Sequence, residues 1–196
     1  MSGRMRVGMF GGSFNPIHVG HLLLAETARE ALRLDRVLFI PANRPPHKAA
    51  ERLLPGPMRL ALVKLAIRDQ PAFAASDIEL RRAGPSYTID TVRLIRAQVP
   101  QAQLVLIIGQ DMLGVRWASW SELTRLCAVA VARRRGAAKP ARAATIAWLP
   151  MPAVDISSSE IRDRLRAGRS VRYLVPPPVE RYLRAHHAYQ EGGPRA

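Results

Sequence analysis

The fold is indicated most clearly by residues 11–21, Gly11-Gly12-Ser13-Phe14-Asn15-Pro16-Ile17-His18-Val19-Gly20-His21. It follows a short apolar run, 7–10, which predicts a buried strand. Its last residues begin an apolar-periodic run, 19–33, which predicts a helix. A glycine-rich turn between a strand and a helix is where an α/β protein offers backbone N–H groups to a phosphorylated ligand. Gly11 and Gly12 can take positive φ and permit close approach, and Pro16 restricts the turn. The stretch therefore predicts a site for nucleotide phosphate.

Two histidines, His18 and His21, stand three residues apart at the predicted start of the helix. That spacing places both imidazoles on one side of a helix, facing the glycines. Gly20 between them is a poor helix former, and space for a ligand is one reason for it. The alternatives are a helix-capping or structural pair, or two metal ligands with His47 as a third. The carboxylate and the i, i+4 spacing of a helical zinc motif are missing.

Predicted strands and helices alternate along the chain. Strands are expected over 7–10, 36–41, 72–80, 104–108, 128–132 and 145–149, and helices over 19–33, 57–69, 88–98, 121–125, 158–167 and 179–188. This order favours an α/β fold with a doubly wound parallel sheet and right-handed crossovers. We expect a single domain over 1–190, a mobile basic surface loop over 133–144 and a disordered tail over 191–196.

The chain is strongly basic. Its formal net charge is +15, and all but three of its 30 basic residues are arginine. A basic surface raises the local concentration of anionic nucleotides, and it also binds nucleic acid weakly and in a salt-sensitive manner. The charge alone does not choose between these partners.

Cysteine content and hydropathy exclude several classes of protein. Cys127 is the only cysteine, which excludes an internal disulfide and a cysteine-rich zinc site, and its apolar neighbours predict a buried strand residue. No apolar run approaches the ~20 residues of a membrane span. Glycines also interrupt the N-terminal apolar stretch before it could form the core of a signal peptide. We therefore expect a cytoplasmic protein with no membrane partner.

The glycine-histidine stretch resembles the nucleotidylyltransferase signature G-G-[ST]-F-[DN]-P-x-H-x-G-H. Four further blocks resemble the nicotinate-nucleotide adenylyltransferase family: Pro45-Pro46-His47-Lys48, Pro85-Ser86-Tyr87-Thr88, Ile108-Gly109-Gln110-Asp111 and Ile156-Ser157-Ser158-Ser159-Glu160-Ile161-Arg162. The five blocks stand in the family's order and, together with the strand before the first of them, span residues 7–162. Five ordered blocks are far more specific than one. The resemblance implies the Rossmann-like nucleotidylyltransferase fold.

The resemblance also implies which residues bind ATP. In the family, the two histidines contact the phosphates and stabilise charge during transfer, the serine-rich helix start holds the β- and γ-phosphates, and the aspartate block binds the ribose. Catalytic roles are implied for His18, His21, Lys48 and Arg162. ATP contacts are implied for Gly11, Gly12, Ser13, Phe14, His18, His21, Gly109, Asp111, Ile156, Ser158, Ser159 and Arg162.

By the same resemblance, the second substrate is nicotinate mononucleotide, and its 5′-phosphate attacks the α-phosphorus of ATP to give deamido-NAD and pyrophosphate. In relatives an aromatic ring stacks on the nicotinate, and backbone N–H groups hold its carboxylate. Acceptor contacts are implied for Asn15, Lys48, Ser86, Tyr87, Thr88, Trp120 and Ser121. Ser121 stands where many relatives have an aromatic residue, and Trp117 lies close by, so the register of this loop is ambiguous.

Several of these residues also fit purely structural roles. Ser157 and Glu160 match a capping box, which explains a helix start here without explaining the extra serines or the arginine. Lys48 fits a solvated surface lysine, and Asp111 fits a helix N-cap. Trp117 and Trp120 could both be ordinary packing residues.

Two other functions compete with the nicotinate enzyme. Phosphopantetheine adenylyltransferase shares the first block and a serine-rich helix start, but the Tyr-Thr, Pro-Pro-His-Lys and Ser-x-x-Ile-Arg blocks favour the nicotinate enzyme. A non-catalytic basic nucleic-acid-binding domain fits the charge, yet no aromatic RNA-binding motif or helix-turn-helix pattern accompanies it. The chain lacks a Walker A loop and a Gly-x-Gly-x-x-Gly fingerprint, which argues against P-loop kinases and NAD-dependent dehydrogenases.

The expected partners are therefore ATP and nicotinate mononucleotide, with no specific nucleic acid. We expect Mg²⁺ to arrive with ATP, since no carboxylate cage is apparent, and we expect no metal site of the protein's own. The sequence is compatible with either a monomer or a homo-oligomer.

Overall fold

The computed structural model describes residues 4–45, 53–115, 117–133, 146–152 and 154–194. Strands and helices alternate through these residues. The strands are β1 Arg6–Gly12, β2 Arg36–Pro41, β3 Phe73–Ala75, β4 Gln103–Gly109, β5 Ala128–Arg133 and β6 Ile146–Pro150. The α-helices are α1 Val19–Ala31, α2 Gly56–Ile67, α3 Thr88–Gln98, α4 Trp120–Leu126, α5 Ser158–Arg166 and α6 Pro177–Ala185, and a 3₁₀ helix, Gln110–Gly114, follows β4.

The strands form one parallel sheet in the order β3-β2-β1-β4-β5-β6. β1 lies near the middle, where Met9 is level with Leu38 of β2 and with Leu106 of β4. From β1 the chain builds the sheet outward to β3 and then returns to the other side of β1 with β4. Ligands of open α/β sheets bind outside the carboxyl ends of the strands at this reversal. The predicted doubly wound α/β fold is confirmed.

Helices cover both faces of the sheet. Side chains along β4 alternate between the faces, as the period of a strand requires. Val105 and Ile107 belong to the core shared with α1, α2, α5 and α6, whereas Leu104 and Leu106 belong to the core shared with α3 and α4. Among the described residues, no helix is long and apolar enough to cross a membrane.

β3 is shorter than the predicted strand over 72–80. Only Phe73–Ala75 forms the strand, and it pairs with β2 at the edge of the sheet. The chain then turns inward, and the Glu79 carboxylate accepts a hydrogen bond of 2.7 Å from the Thr91 hydroxyl inside the protein. A contact with α3 therefore governs this segment more strongly than local strand propensity.

The glycines of the first block also differ from expectation. Gly11 and Gly12 end β1 without positive φ, and it is Phe14 that has a φ of 43°. A Cβ on Gly12 would lie 3.2 Å from the Phe14 ring, so this glycine admits that ring into the core. A Cβ on Gly20 would lie 3.1 Å from Nδ1 of His18. Gly20 thus makes room for the His18 imidazole, a reason for this glycine that the sequence did not indicate.

Most of the predicted mobile loop, 134–144, lies outside the described residues, as do 195–196 of the predicted tail. The described part of the tail takes part in a turn, in which the Gly193 N–H donates to the Gln190 carbonyl at 3.1 Å. The expectation that 191–196 is disordered stays a prediction.

Candidate active site

Two adjoining cavities lie at the carboxyl ends of β1 and β4. Their volumes are about 730 Å³ and about 360 Å³. The residues that line both are Phe10, Gly11, Gly12, Ser13, Gly109 and Met112. Because the two cavities share these walls, they form one continuous site at the reversal of strand order. The residues that line only one cavity differ in chemistry between the two halves of this site.

The larger cavity collects the predicted ATP-binding residues. All of them except Phe14 line it: Gly11, Gly12, Ser13, His18, His21, Gly109, Asp111, Ile156, Ser158, Ser159 and Arg162. The Phe14 ring is buried in the core and packs edge-on against Phe10, with their centroids 5.4 Å apart. Any contact of Phe14 with a ligand would therefore come from its backbone.

His21 has a cap bond that sets its tautomer. The His18 backbone N–H, at the N-cap of α1, donates to Nδ1 of His21 at 3.2 Å. Because Nδ1 accepts this bond, the neutral His21 ring carries its proton on Nε2. His21 therefore caps the helix and supplies a hydrogen-bond donor in the wall of the larger cavity. The capping and ligand-binding interpretations of this residue are compatible.

His18 is neutral at physiological pH. Its side chain packs against His21, with the ring centroids 3.7 Å apart, and the residue is only 7% exposed. This burial lowers the pKa of His18 to about 4. Its Nδ1 is buried and makes no hydrogen bond within the described part of the chain. The ring can thus meet a phosphate as a hydrogen-bond donor and not as a cation.

A metal site built on this histidine pair finds no support in the described residues. No group of three or more His, Cys, Asp or Glu side chains that could hold a metal ion occurs among them. The third ligand considered from the sequence, His47, lies outside these residues, as does Lys48. The proposed phosphate contact of Lys48 therefore stays a prediction.

The buried His18 should make the stability of the fold depend on pH. The folded-state pKa of about 4 lies below the unfolded value of 6.5, so the unfolded chain binds the extra proton between these values. This part of the stability is complete above pH 6.5 and is lost as the pH falls towards 4. The expected loss is about 2 kcal/mol at pH 5. Urea unfolding at pH 7.5 and at pH 5.0 measures how much unfolding free energy is lost between these values. The loss should be smaller by about 2 kcal/mol in His18→Asn than in the wild-type protein. Equal losses in the two proteins would contradict the lowered pKa of His18.

The start of α5 joins the glycine-histidine stretch through two hydrogen bonds, and a third bond within α5 holds the Arg162 side chain. The Ser158 hydroxyl donates to the Pro16 carbonyl at 2.9 Å. Arg162 donates from Nη1 to the Asn15 carbonyl at 2.9 Å and from Nη2 to the Ser159 hydroxyl at 3.0 Å. These bonds hold a guanidinium group and two hydroxyls in the wall of the larger cavity. A helix N-terminus with such neighbours favours an anion.

The predicted N-cap of α5 is present. The Ser157 hydroxyl accepts a hydrogen bond from the Glu160 backbone N–H at 3.1 Å. Ile156 and Ile161 both pack into the core shared with α1, as expected for a hydrophobic staple. This local structure explains why a helix begins here, and it directs the following serines toward the site.

Two polar residues, the buried Arg59 and the half-buried Tyr189, support the loop beneath the histidines, and the sequence motifs do not identify either. Arg59 is 1% exposed and donates from Nε to the Leu54 carbonyl and from Nη1 to the Ser13 carbonyl, each at 2.9 Å. Tyr189 donates to Oδ1 of Asn15 at 2.8 Å. The position of Arg59 among the apolar residues of α2 was the one feature of the sequence that could have indicated a buried arginine. Nothing in the sequence pairs Tyr189 with this loop.

Asn15, predicted to contact the acceptor, occupies the centre of this support. It is buried, and its Oδ1 accepts from the Leu54 backbone N–H at 3.0 Å as well as from Tyr189. Asn15 also lines the larger cavity. Hydrogen bonds within the protein therefore engage the side-chain oxygen of Asn15. Contact between Asn15 and the substrate stays a prediction.

Asp111 lies on the opposite wall, within the 3₁₀ helix after β4. The N-cap of that helix is Gly109, so Asp111 is not the cap residue considered from the sequence. A Cβ on Gly109 would lie 2.5 Å from Oδ1 of Asp111, which means that the carboxylate lies directly over the glycine. An exposed carboxylate there can accept hydrogen bonds from ribose hydroxyls.

The smaller cavity contains the Ser-Tyr-Thr block. Ser86, Tyr87 and Thr88 line it. The Ser86 hydroxyl accepts from the Asn43 backbone N–H at 2.9 Å, which attaches this block to the chain after β2. Glu79 also lines the cavity, 6% exposed, and burial raises the pKa of its carboxyl while hydrogen bonds from Thr91 and Ser86 oppose that rise. The cavity is otherwise mostly apolar.

The aromatic wall of the smaller cavity comes from Trp117. Trp117 and Ala118 line this cavity, whereas Trp120 and Ser121 line neither cavity. The Trp117 indole N–H donates to the Met112 carbonyl at 2.8 Å, and its ring lies 5.7 Å from that of Trp120. The residues assigned from the sequence are thus displaced from the cavity, because α4 begins at Trp120 and directs it into packing. Trp117 is therefore the tryptophan that lines the smaller cavity.

Cys127 packs in the interior, as expected, but it is the C-cap of α4, directly before β5, and not the strand residue that its apolar neighbours predict. It is buried at the end of α4, and burial raises the pKa of its thiol to about 11. The thiol is therefore protonated at neutral pH and is a poor nucleophile. It lines neither cavity.

Comparison with known proteins places the chain in a family. The cytidylyltransferase-like family profile matches residues 9–164. The chain is 45% identical to a protein of Thermus thermophilus and 40% identical to one of Thermomicrobium roseum, both named probable nicotinate-nucleotide adenylyltransferase. The first comparison covers 95% of this chain and 100% of the relative, and the second covers 94% and 92%.

Solved structures resemble the fold. The nicotinic acid mononucleotide adenylyltransferase of Plasmodium falciparum, complexed with NaAD, matches with a TM-score of 0.81 at 16% identity, covering 95% of this chain and 98% of that one. At this identity the likeness bears on the fold alone. The sequence relatives confirm the resemblance seen in the motifs: the chain belongs to the nicotinate-nucleotide adenylyltransferase family, within the cytidylyltransferase-like proteins.

Proposed function

We propose that this protein transfers the adenylyl group of ATP to the 5′-phosphate of nicotinate mononucleotide. A phosphate oxygen of the mononucleotide attacks the α-phosphorus, the bond from that phosphorus to the β-phosphate oxygen breaks, and deamido-NAD and pyrophosphate leave. The observation that carries the proposal is the pair of adjoining cavities, which share the glycine wall of β1. The larger cavity carries histidine, serine and arginine side chains that suit a triphosphate, and the smaller cavity is mostly apolar and suits a pyridine ring.

The larger cavity accounts for the leaving group and for the developing charge. His18 and His21 are preorganised donors, fixed by ring packing and by the cap bond. Arg162 is held by Asn15 and Ser159, beside the helix start that would receive the pyrophosphate. Fixed donors around the transferred group lower the barrier without covalent catalysis, because phosphoryl-type transfer depends on position and charge.

We propose Mg²⁺ as the partner of ATP. Among the described residues that line the larger cavity, the carboxylates are Asp111 and Asp155. Two separate carboxylates fit a metal that takes most of its ligands from phosphates and water, as Mg²⁺ does with nucleotides. When bound, the ion neutralises phosphate charge, while the histidines and Arg162 hold the same groups by hydrogen bonds.

The smaller cavity accounts for the acceptor. The Trp117 ring offers a stacking surface, and the backbone N–H groups of Thr88 and Ala118 are the candidate donors to a carboxylate. The Tyr87 N–H already donates to the Pro85 carbonyl at 3.1 Å. The hydroxyls of Ser86 and Thr91 are engaged by Glu79, so they are less suited to that task. This arrangement replaces Trp120 and Ser121 with Trp117 and Ala118 as the proposed acceptor contacts.

Arg162→Ala should weaken ATP and pyrophosphate binding more than acceptor binding. The guanidinium lies at the helix start proposed for the leaving group, and losing a charge-assisted hydrogen bond corresponds to a loss of about tenfold or more in affinity. Arg162→Lys should recover only part of the loss, because lysine lacks the planar fork. Calorimetric titration with ATP and KM values for both substrates measure the effect. If only the affinity for the acceptor falls, Arg162 binds the acceptor and the ATP and acceptor ends of the site are exchanged.

The paired variants Trp117→Ala and Trp120→Ala test the acceptor end of the proposed function. Removing the stacking ring should raise KM for nicotinate mononucleotide by about tenfold in Trp117→Ala, with little change in KM for ATP. Trp120→Ala is the matched control, because it removes a neighbouring indole that lines neither cavity. Pyrophosphate release in the presence of ATP and the mononucleotide gives both constants. A larger effect at Trp120 would restore the assignment made from the sequence.

A further inference from the structure

The last turn of the described chain lies far from the nucleotide-binding blocks in sequence but contacts them in space. After α6 ends at Ala185, the backbone folds back on itself, and the Ala188 N–H donates to the Leu183 carbonyl at 2.9 Å. His187 and Tyr189 have φ values of 46° and 68°, in the left-handed region that residues with side chains disfavour. Such a conformation persists when surrounding contacts stabilise it. Here the contact made by Tyr189 is the hydrogen bond to Asn15.

The direction of this hydrogen bond is determined by its chemistry. Burial raises the pKa of Tyr189 above its ordinary value, so the phenol keeps its proton and donates. Oδ1 of Asn15 accepts from Tyr189 at 2.8 Å and from the Leu54 backbone N–H at 3.0 Å. Because a backbone N–H can only donate, the atom facing both groups is the amide oxygen. Two donors from distant parts of the chain therefore fix the Asn15 side chain.

Asn15 transmits this constraint to the proposed phosphate site. Its backbone carbonyl accepts from Nη1 of Arg162 at 2.9 Å, and both residues line the larger cavity. Arg162 also contacts Ser159 at the start of α5. Tyr189 lines neither of the two cavities of the site, although it borders a third cavity together with Arg162. Its connection to the ligand therefore runs through Asn15 and Arg162.

We propose that Tyr189 is a positioning residue of the nucleotide site: its hydroxyl orients Asn15, and Asn15 in turn holds Arg162 in the geometry that binds ATP. This inference rests on the proposed function only for the identity of the nucleotide. The polar contacts of the site are then complete only when the C-terminal turn is in place. Since coupling of this kind is reciprocal, bound ATP should also stabilise the turn.

The test compares Tyr189→Phe with Tyr173→Phe. The control removes a hydroxyl from a ring that is 81% exposed and whose described ring contact is with Arg172. One hydrogen bond corresponds to about fivefold in affinity, so the Kd for ATP should rise about fivefold in Tyr189→Phe and stay unchanged in the control. KM for the acceptor should change less than twofold. Calorimetry with ATP alone requires no acceptor, so it gives an answer even if the proposed acceptor is wrong.

A double-mutant cycle separates positioning from a general loss of structure. In an Arg162→Ala background, Tyr189→Phe should have no further effect on the Kd for ATP, because the link it controls is already lost. An unchanged Kd in the single variant, or fivefold losses that multiply in the double variant, would overturn the proposal. If Tyr189→Phe does not fold, hydrogen exchange in the wild-type protein still tests the proposal. ATP should slow amide hydrogen exchange over 187–190, and exchange unaffected by ATP would count against the proposal.

Discussion

We expect His21→Ala to lower turnover by about a hundredfold while the fold stays intact, because a preorganised donor to the transferred group is worth about 3 kcal/mol. His18→Ala should cause a loss of similar order. The two rings lie against each other in the wall of the larger cavity, and the cap bond keeps the His21 proton on Nε2. Both imidazoles are therefore placed to meet negative charge as it develops.

Steady-state pyrophosphate release at saturating ATP and acceptor measures the loss, and thermal unfolding checks the fold. His186→Ala is the matched control: its ring stacks on Tyr182 at the end of α6, and it lines neither cavity. The control should keep wild-type turnover. Near-normal turnover in both His18→Ala and His21→Ala would remove the histidine pair from the mechanism.

Features that depend on local sequence could be predicted well. The apolar run before Gly11 and the periodic run after His18 were enough to predict β1 and α1, because both patterns lie within the elements themselves. Ser157 and Glu160 lie within one helical turn of each other, so the start of α5 could also be predicted. Alternation of these units implied the parallel sheet, because right-handed crossovers leave few other arrangements.

Features that depend on distant contacts could not be predicted. Glu79 faces Thr91 and the strand before it is short, yet the sequence over 72–80 contains no signal of that contact. Gly20 accommodates the side chain of His18, a role that follows from ring packing and not from helix propensity.

The acceptor wall shows the same limit. Trp117 and Trp120 are both large aromatic residues in one loop, and only the hydrogen bond from Trp117 to Met112 and the start of α4 distinguish them. Residue type therefore predicted that an indole belongs there, while the three-dimensional structure determines which one. Tyr189 contacts Asn15 across 174 residues, a separation at which sequence patterns carry no information about contact.

Nicotinate mononucleotide should be used at least a hundredfold better than nicotinamide mononucleotide. The two acceptors differ in a carboxylate against a carboxamide. A carboxylate accepts hydrogen bonds at both oxygens, so it suits a site built from the backbone N–H groups near Tyr87 and after Trp117. A carboxamide would direct its own NH₂ donors at one of these groups, and a buried clash of donors costs several kcal/mol.

The most direct test of adenylyl transfer to the acid acceptor is a comparison of kcat/KM for these two mononucleotides with ATP, with 4′-phosphopantetheine as a third acceptor. We predict formation of deamido-NAD with a ratio of about a hundred or more in favour of the acid. Equal values for the two mononucleotides, or preferential use of 4′-phosphopantetheine, would contradict the account.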